Sequence, residues 1–283
     1  MRSTFAENLS SKCLKQTSPE AFSYSSALVR KSLIAFFPLI MLLLVVSCAS
    51  SPTAEDKRNA ETYNNLGYAY LNDGQLNEAY LEFQKSIAID PGNKETLNYL
   101  GYISTRFKKY DEAIAYYKRA IAIDPGYADA MHNLGVTYAD MEAWDEAIKC
   151  FKSALSNPMY GTPAQAYSNL GYAYYKKGDI INAEKSLKDA LLRNPVSPMA
   201  MYILGLVYLE TKNEKAAVEE FKRAIGILPD YADAHWELAK VYLKSGQKAR
   251  ALKHFEVVAE KDGNVGRRRE ALLYIQQLKY KSR

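Results

Sequence analysis

Residues 60–93 read AETYNNLGYAYLNDGQLNEAYLEFQKSIAIDPGN, and residues 94–127 read KETLNYLGYISTRFKKYDEAIAYYKRAIAIDPGY. A small residue is followed twelve positions later by an alanine in both stretches, and the same pair recurs along the chain: Gly67/Ala79, Gly101/Ala113, Gly135/Ala147, Gly171/Ala183, Gly205/Ala217 and Ala239/Ala251. The steps between successive pairs are equal, except that the third step, from Gly135 to Gly171, is two residues longer. A period of about 34 residues predicts a stack of identical supersecondary units in place of one central core.

Each unit has the pattern of two helices. The first carries aromatic and apolar residues around the small position, as in Tyr63, Leu66 and Tyr70, and a short turn follows it. The second begins near the alanine, and in four units a proline follows it: Pro91, Pro125, Pro195 and Pro229. Proline cannot continue a helix, so it marks the boundary between units. We expect the small residue and the alanine to lie where the two helices cross closely, because larger side chains would push the axes apart.

In period and in residue pattern, these units resemble the tetratricopeptide repeat (TPR). The resemblance implies an all-α fold, in which antiparallel helix pairs stack into a right-handed superhelix with a concave groove. The six predicted repeats, numbered 1 to 6, are 60–93, 94–127, 128–163, 164–197, 198–231 and 232–265.

A capping helix is predicted for residues 266–283, after the sixth repeat. A stack of repeats needs such a cap, with a polar outer face, to cover its last apolar edge. We expect four residues to form the inner face: Leu272, Leu273, Ile275 and Leu278. The basic residues at 267–269 and near the end of the chain are expected to face water. Contact with anionic lipid headgroups or with an acidic partner segment is the alternative for them.

The N-terminal part has the pattern of a targeting segment. Arg30 and Lys31 precede an apolar run, 33–46, which fits a signal peptide better than a membrane span. The run ends in Val-Val-Ser-Cys at Cys48, which resembles a bacterial lipobox. The resemblance implies that residues 1–47 are removed and that Cys48 is lipidated, with 48–59 as a polar tether. A plain transmembrane anchor or an ordinary signal peptide are the alternatives, and the true start is Met1 or lies near Val29.

The residue after Cys48 is Ala49, so nothing resembles an inner-membrane retention signal. We therefore expect the protein on the periplasmic face of the outer membrane, attached through its acyl chains.

Composition and charge argue against several functional classes. The net charge is +5, of which residues 1–48 hold +3, so the remainder lacks the basic stripe of a nucleic-acid-binding protein. The three histidines, His132, His235 and His254, are not paired in sequence with a carboxylate or a nucleophile, and no phosphate-binding glycine loop is present. We predict no enzyme activity, no metal, no small-molecule substrate and no cofactor beyond the lipid on Cys48. Cys150 is expected to be a small packing residue.

The long third step contains Asn157-Pro158-Met159-Tyr160-Gly161-Thr162-Pro163, in which we expect Tyr160 to be an exposed residue of a lengthened loop. Tolerated drift in a loop is one interpretation. With the lipobox, six repeats and the following Asn169-Leu-Gly and Lys176-Lys-Gly-Asp strings, the insertion also resembles the type IV pilus biogenesis lipoprotein (PilF/PilW) family. That resemblance implies a pilotin, which helps the pilus secretin to reach the outer membrane. A generic TPR scaffold for cell-envelope complexes, such as peptidoglycan hydrolases or another secretion system, is the alternative.

A binding groove is predicted from two positions on the first helix of each repeat, three before and one after the small residue. These positions lie four residues apart and share one helix face. The candidate partner-binding residues are Asn64, Tyr68, Asn98, Tyr102, His132, Ser168, Tyr172, Tyr202 and Trp236. Exposed aromatic residues are enriched at binding surfaces, and the alternative is that they simply pack helices together. We expect a polar subsite at the first repeats and a more apolar one at the last.

Overall fold

The computed structural model describes residues 52–280, so the predicted signal peptide, Cys48 and the last three residues lie outside the described part. All regular elements in the described residues are α-helices. They are α1 (Ala54–Asn72), α2 (Leu76–Ile89), α3 (Lys94–Arg106), α4 (Tyr110–Ile123), α5 (Ala128–Asp140), α6 (Trp144–Leu155), α7 (Pro163–Lys177), α8 (Ile180–Arg193), α9 (Pro198–Glu210), α10 (Glu214–Ile227), α11 (Ala232–Lys244), α12 (Lys248–Lys261) and α13 (Val265–Tyr280). Among the described helices, none combines the length and apolarity that a membrane crossing requires.

The helices pack in consecutive pairs, and each pair packs on the next. In every repeat we call the first helix of the pair helix A and the second helix B, so that α1 and α2 form repeat 1 and α11 and α12 form repeat 6. Buried apolar residues form successive clusters along the stack. The predicted all-α TPR solenoid is confirmed. Helix α1 begins at Ala54, six residues before the predicted start of repeat 1, so the second half of the expected tether is helical.

The small position of helix A is packed against a large side chain of helix B. A Cβ atom added to Gly205 would lie 2.5 Å from the ring of Phe221, and one added to Gly101 would lie 2.6 Å from Tyr117. The alanine one turn before that large residue is fully buried in every repeat. The close crossing therefore depends on the large residue four positions after the alanine as much as on the small pair itself.

The turn inside each repeat uses the left-handed backbone region. Glycine provides it in repeats 1, 4 and 6, at Gly74, Gly178 and Gly246. In repeats 2, 3 and 5, non-glycine residues, Lys108, Glu142 and Lys212, adopt the same conformation with φ near 60°. The exposed, hydrated position of these three side chains leaves them room to do so, at a cost of roughly 1 kcal/mol each.

The turn between repeats 3 and 4, in the longer third step, makes the same hydrogen bond as the turn between repeats 2 and 3. The amide of Gly126 donates to Asp124 Oδ1 at 2.9 Å, and the amide of Met159 donates to Asn157 Oδ1 at the same distance. Gly161 and Thr162 then separate this turn from α7, whereas Tyr127 is followed directly by α5.

Tyr160 is 8% exposed, so the prediction of an exposed tyrosine is wrong. Its ring packs with Ala128, Ala154 and Ala166, because the turn directs it inward as it directs Tyr127. Its neighbour Met159 is 86% exposed.

Of the four residues predicted for the inner face of the capping helix α13, Leu278 is buried and Ile275 packs against the core of repeat 6, but the other two do not. Ala271 and Leu278 are buried, and Tyr274 stacks on Phe255 with ring centroids 4.6 Å apart. Leu272 and Leu273 are 56% and 58% exposed, so they do not cover the apolar edge. The reason is that α13 has apolar residues on more than one side, so the helical repeat alone does not say which of them turns inward.

The first arginine of the capping helix was also misplaced by the sequence prediction. Arg267 does not simply face water, because its guanidinium is hydrogen-bonded to the buried Asp262 and forms an ion pair with Asp233 of α11 at 2.7 Å. These contacts fix the start of α13 against repeat 6.

Candidate protein-binding surface

The two predicted groove positions differ in exposure. The residue one after the small position is the more exposed: Tyr68 is 47% and Tyr172 is 37% exposed, and Tyr102 is half-buried. The residue three before the small position is buried at Asn98, His132 and Ser168. We call the residue one after the small residue the first position and the residue three before it the second position. The first position therefore offers surface to a partner, and the second offers little in the middle repeats.

Buried residues of the second position connect neighbouring helices A. Asn133 Nδ2 donates to Asn98 Oδ1 at 3.0 Å, which links α5 to α3. Asn169 Nδ2 lies 3.4 Å from His132 Nε2, which links α7 to α5. Buried polar groups need such partners, and two atoms of this set, Asn64 Oδ1 and His132 Nδ1, have none among the described residues. Burial lowers the pKa of His132 to about 4, so it is neutral at pH 7.

Tyr202 and Trp236 occupy the second position in the last two repeats and are half-buried. Tyr202 packs 5.4 Å from Tyr231, and Trp236 packs 5.6 Å from Phe255 and 6.1 Å from Tyr274. Both rings therefore contribute to helix packing, and their role in binding stays a prediction.

A cleft of about 320 Å³ lies between repeats 3 and 4. Its walls come from helix A of both repeats, from the start of helix B of repeat 3 and from Met199 of repeat 5. The lining residues are Val136, Ala139, Asp140, Glu142, Trp144, Phe151, Asn169, Tyr172, Lys176 and Met199. We call this space the central cleft.

Three aromatic side chains line the central cleft: Trp144, Phe151 and Tyr172. The rings of Trp144 and Tyr172 meet edge to face, with centroids 5.9 Å apart and an interplanar angle of 87°. The Lys176 ammonium lies 5.7 Å from the Trp144 ring centre, within the range of a cation–π interaction. Asp140 and Glu142 place acidic groups on the same wall. Such a surface can accept an apolar side chain and pair with charges of either sign around it.

Sequence reasoning identified Tyr172 as a groove residue but missed Trp144 and Met199. Trp144 is the first residue of helix B, and the prediction considered only helix A. A tryptophan at the start of a helix, beside the turn, was the available signal.

Two further clefts lie between helices A of other repeats. The one between repeats 1 and 2, about 460 Å³, is lined by Leu71, Leu76, Tyr102 and Arg106 among others. The one between repeats 5 and 6, about 230 Å³, has two glutamates and two lysines in its lining: Glu214, Glu237, Lys240 and Lys244. The expected change from a polar to an apolar subsite along the stack is not seen in these clefts.

The three histidines are not paired in sequence with a carboxylate or a nucleophile, but the fold brings two of them together. His235 on α11 and His254 on α12 belong to the same repeat, and their Nδ1 atoms are 2.8 Å apart. His235 Nε2 lies 2.8 Å from the Pro229 carbonyl oxygen, so it donates there, and His254 then donates to His235 Nδ1. Burial lowers the pKa of both, that of His254 to about 4. The described residues contain no group of three or more His, Cys, Asp or Glu side chains arranged for a metal.

Four family models, each described as tetratricopeptide repeat, match this chain at residues 60–93, 95–157, 168–232 and 208–273. Together they account for well over half of it. A stretch of 82 residues is 33% identical to a TPR repeat-containing protein of Schizosaccharomyces pombe. That match covers 29% of this chain and only 10% of the length of the yeast protein.

Solved structures with the same fold include PilF of Pseudomonas aeruginosa, with a TM-score of 0.68 at 16% identity over 80% of this chain and 99% of PilF. PilW, described as a widely conserved type IV pilus biogenesis factor, has a TM-score of 0.68 at 22% identity, over 77% of this chain and 97% of PilW. MamA has a TM-score of 0.51 at 30% identity, over 57% of this chain and 94% of MamA. The repeat pattern, the paired helices and these matches agree: the chain belongs to the tetratricopeptide repeat family, whose members are in general non-catalytic scaffolds that bind other proteins.

Proposed function

We propose that this chain is a non-enzymatic outer-membrane lipoprotein that binds a partner protein, as a pilotin-like factor in the assembly of a type IV pilus secretin. Three features support the proposal. The sequence at Cys48 resembles a lipobox, the repeats number six, and PilF and PilW match this chain over nearly their whole length. PilW is a type IV pilus biogenesis factor, and the same process is proposed for this chain.

The observation that carries the binding function is the central cleft with its Trp144–Tyr172 pair. Aromatic side chains provide a large apolar area with few rotatable bonds, which is why they dominate the energetics of protein interfaces. The edge-to-face contact holds both rings in place before a partner arrives, so little side-chain entropy is lost on binding. A peptide segment with an apolar residue for the cleft and flanking charges for Asp140, Glu142 and Lys176 fits this surface.

The membrane attachment is tested by substitution of the proposed lipid site. The Cys48→Ala variant is expected in the soluble periplasmic fraction, because it lacks the acyl chains that would hold it on the bilayer. Cys150→Ala, which leaves Cys48 in place, is the matched control and should stay in the membrane fraction. Membrane association of the Cys48→Ala variant equal to that of the wild type would contradict the anchor.

The partner is tested by affinity purification from detergent extracts of membranes. The proposal predicts that the secretin co-purifies with the wild-type chain and that Tyr172→Ala reduces the recovered amount several-fold. Ile181→Ala, an exposed apolar residue of α8 that lines none of these clefts, is the control and should recover the secretin normally. Recovery of peptidoglycan hydrolases without secretin would replace the pilotin role with the scaffold alternative.

A further inference from the structure

Charged residues of alternating sign occupy one position in helix A of successive repeats. The position lies five residues after the small residue, and in repeats 2 to 6 it holds Arg106, Asp140, Lys176, Glu210 and Lys244. All five side chains are exposed, and all lie in the last turn of their helix. Because helices A of repeats 2 to 5 contact one another in order, the signs also alternate in space along the stack.

Three of these residues line two neighbouring clefts. Asp140 and Lys176 line the central cleft, and Lys176 and Glu210 line a second cleft of about 490 Å³ between repeats 4 and 5. Lys176 belongs to both linings, so one bound chain can pass from the first cleft into the second beside its side chain. We call Asp140, Lys176 and Glu210 the charge ladder.

The fold does not use the charge ladder for its own stability. The C-terminus of a helix carries a partial negative charge, so Asp140 at the end of α5 and Glu210 at the end of α9 are unfavourable there. No ion pair within the described residues engages a member of the charge ladder, whereas the neighbouring Lys177 is paired with Asp145. The three ladder residues are therefore available to charges on another molecule.

The two ends of the alternating series differ from the charge ladder. Arg106 donates to the Tyr102 hydroxyl at 3.3 Å, and Lys244 is paired with Glu214 of the preceding repeat. Both side chains are held by contacts inside the stack. The charge ladder is therefore limited to repeats 3, 4 and 5.

An extended chain suits this surface better than a helix does. Asn169 lines the central cleft with its Nδ2 directed to His132, and its Oδ1 can accept a hydrogen bond from a backbone amide. An extended chain presents such amides, whereas a helix uses its own internally. Helices in contact lie about 10 Å apart. An extended chain rises about 3.3 Å per residue, so about three of its residues correspond to one repeat.

We propose that the charge ladder selects an extended segment of the partner protein by the order of its charges. The segment carries a basic residue for Asp140, an apolar residue for the central cleft, an acidic residue for Lys176 and a basic residue for Glu210. Successive charges are about three residues apart. Glu142, which lines the central cleft with Asp140, adds to the preference for a basic residue at that end. The proposal rests on the proposed function, because it concerns the partner that docks at the central cleft.

Two synthetic peptides of the same composition test the order of charges. The first carries lysine, glutamate and lysine at every third position, with phenylalanine between the first lysine and the glutamate. In the second, the glutamate and the first lysine are exchanged. The mature full chain should bind the first peptide about tenfold more tightly in fluorescence anisotropy at low salt, because the exchange turns two attractions into two repulsions. Equal affinities, or no binding of either peptide, would overturn the proposal.

Charge reversal in the protein locates the determinant. Lys176→Glu should weaken binding of the first peptide about fivefold, and Lys176→Arg, which keeps the charge, should not. Lys176→Glu should also bind a third peptide, with lysine at all three charged positions, more tightly than the wild type does. Lys185→Glu makes the same charge change at an exposed residue of α8 that lines neither cleft, so it is the matched control and should have little effect.

The salt dependence of these differences checks their origin. The effect of Lys176→Glu should shrink at 1 M salt, since the charges of the ladder are exposed and salt screens them. An effect that salt leaves unchanged, or equal effects of Lys176→Glu and Lys185→Glu at low salt, would contradict selection by the charge ladder.

The same measurements separate this proposal from docking at the central cleft. Tyr172→Ala removes an aromatic wall of the cleft and should weaken the binding of both peptides by the same factor. If Tyr172→Ala weakens binding and Lys176→Glu does not, the partner docks at the cleft without selection by charge, and the ladder proposal alone fails. If Lys176→Glu weakens binding and Tyr172→Ala does not, the charge ladder stands and the docking of an apolar residue in the cleft fails.

Discussion

The junction between repeats 2 and 3 and the junction between repeats 3 and 4 use the same turn but pack differently. Both turns contain an Asx residue that caps the amide two residues later, a proline and a tyrosine. In the first, Tyr127 is half-buried and helix A follows at once; in the second, Tyr160 is buried and two more residues precede α7. Between helices A, an Asn98–Asn133 pair in the first junction is replaced by His132–Asn169 in the second.

The comparison shows that the shared turn determines how the repeats stack. The side chains around the turn determine how deeply the tyrosine is buried and which polar pair joins neighbouring helices A. The second junction carries the central cleft, where Trp144, Tyr172 and Lys176 take the register positions that Tyr110, Val136 and Asp140 hold in the first. A lysine thus replaces an aspartate and an aromatic ring replaces an aliphatic side chain. The regular junction is therefore an internal control for the irregular one.

Tyr160→Ala should have the largest effect on stability. Removal of a buried aromatic ring leaves a cavity beside Ala128 and Ala166 and should lower the free energy of unfolding by about 3 kcal/mol. Tyr127→Ala, at the half-buried counterpart, should cost about half as much. The measurement is urea unfolding followed by circular dichroism, and equal losses for the two variants would mean that the junctions pack alike.

His132→Asn should remove part of the pH dependence of stability. Burial lowers the pKa of His132 from 6.5 in the unfolded chain to about 4, so the unfolded state binds more protons between these values. The stability that the neutral form contributes is complete above pH 6.5 and is lost as the pH falls towards 4. From pH 7 to pH 5 the loss should be about 2 kcal/mol.

The His132→Asn variant places two asparagines together, as in the Asn98–Asn133 pair of the first junction. The stability that the variant loses between pH 7 and pH 5 should therefore be about 2 kcal/mol smaller than the loss of the wild type. Hydrogen exchange of α5 and α7 at pH 5 and pH 7 measures the stability around residue 132. This separates the effect of His132 from that of the His235–His254 pair in repeat 6. An identical pH response in the wild type and the variant would show that His132 is not responsible.

Asn157→Ala should have a smaller effect, about 1 kcal/mol. The side chain caps the amide of Met159 and donates from Nδ2 to the Gly126 carbonyl oxygen at 2.7 Å, so it joins the two turns directly. Ser156→Ala, next to it and exposed, should change the free energy of unfolding by less than about 0.5 kcal/mol. If the two variants are equally stable, the link between the turns contributes nothing measurable.

The repeat pattern predicted much of this fold because it records contacts that recur in every unit. Gly101, Ala113 and Pro125 each have equivalents one repeat length away, and a position that must be small, buried or helix-breaking in one repeat is the same in the next. The stack of repeated units follows from that regularity, the all-α superhelix of helix pairs from the resemblance to the tetratricopeptide repeat, and the capping helix from the need to cover the last apolar edge.

Features that occur once were predicted less well. His235 and His254 are 19 residues apart, and only the antiparallel pairing of α11 with α12 brings their rings together. Tyr160, between proline and glycine, has the composition of a loop; comparison of Asn157-Pro158-Met159-Tyr160 with Asp124-Pro125-Gly126-Tyr127 would have indicated its burial. The inner face of α13 was predicted only in part, because apolar residues occur on more than one side of the helix.

The groove residues were predicted in part for a similar reason. Two positions four residues apart share a helix face, but the crossing of neighbouring helices decides which of them is covered. Here helix A of the adjacent repeat covers Asn98 and His132, and it leaves Tyr68 and Tyr172 at the surface.

The most direct test of the proposed function is the affinity of the partner for the central cleft. The partner that co-purifies from membrane extracts is titrated against the wild-type chain, Tyr172→Ala and Ile181→Ala by isothermal titration calorimetry. Docking at the central cleft predicts at least tenfold weaker binding for Tyr172→Ala, equivalent to about 1.4 kcal/mol, and unchanged binding for Ile181→Ala. Unchanged affinity of Tyr172→Ala, with unchanged stability, would contradict the assignment of partner binding to the junction between repeats 3 and 4.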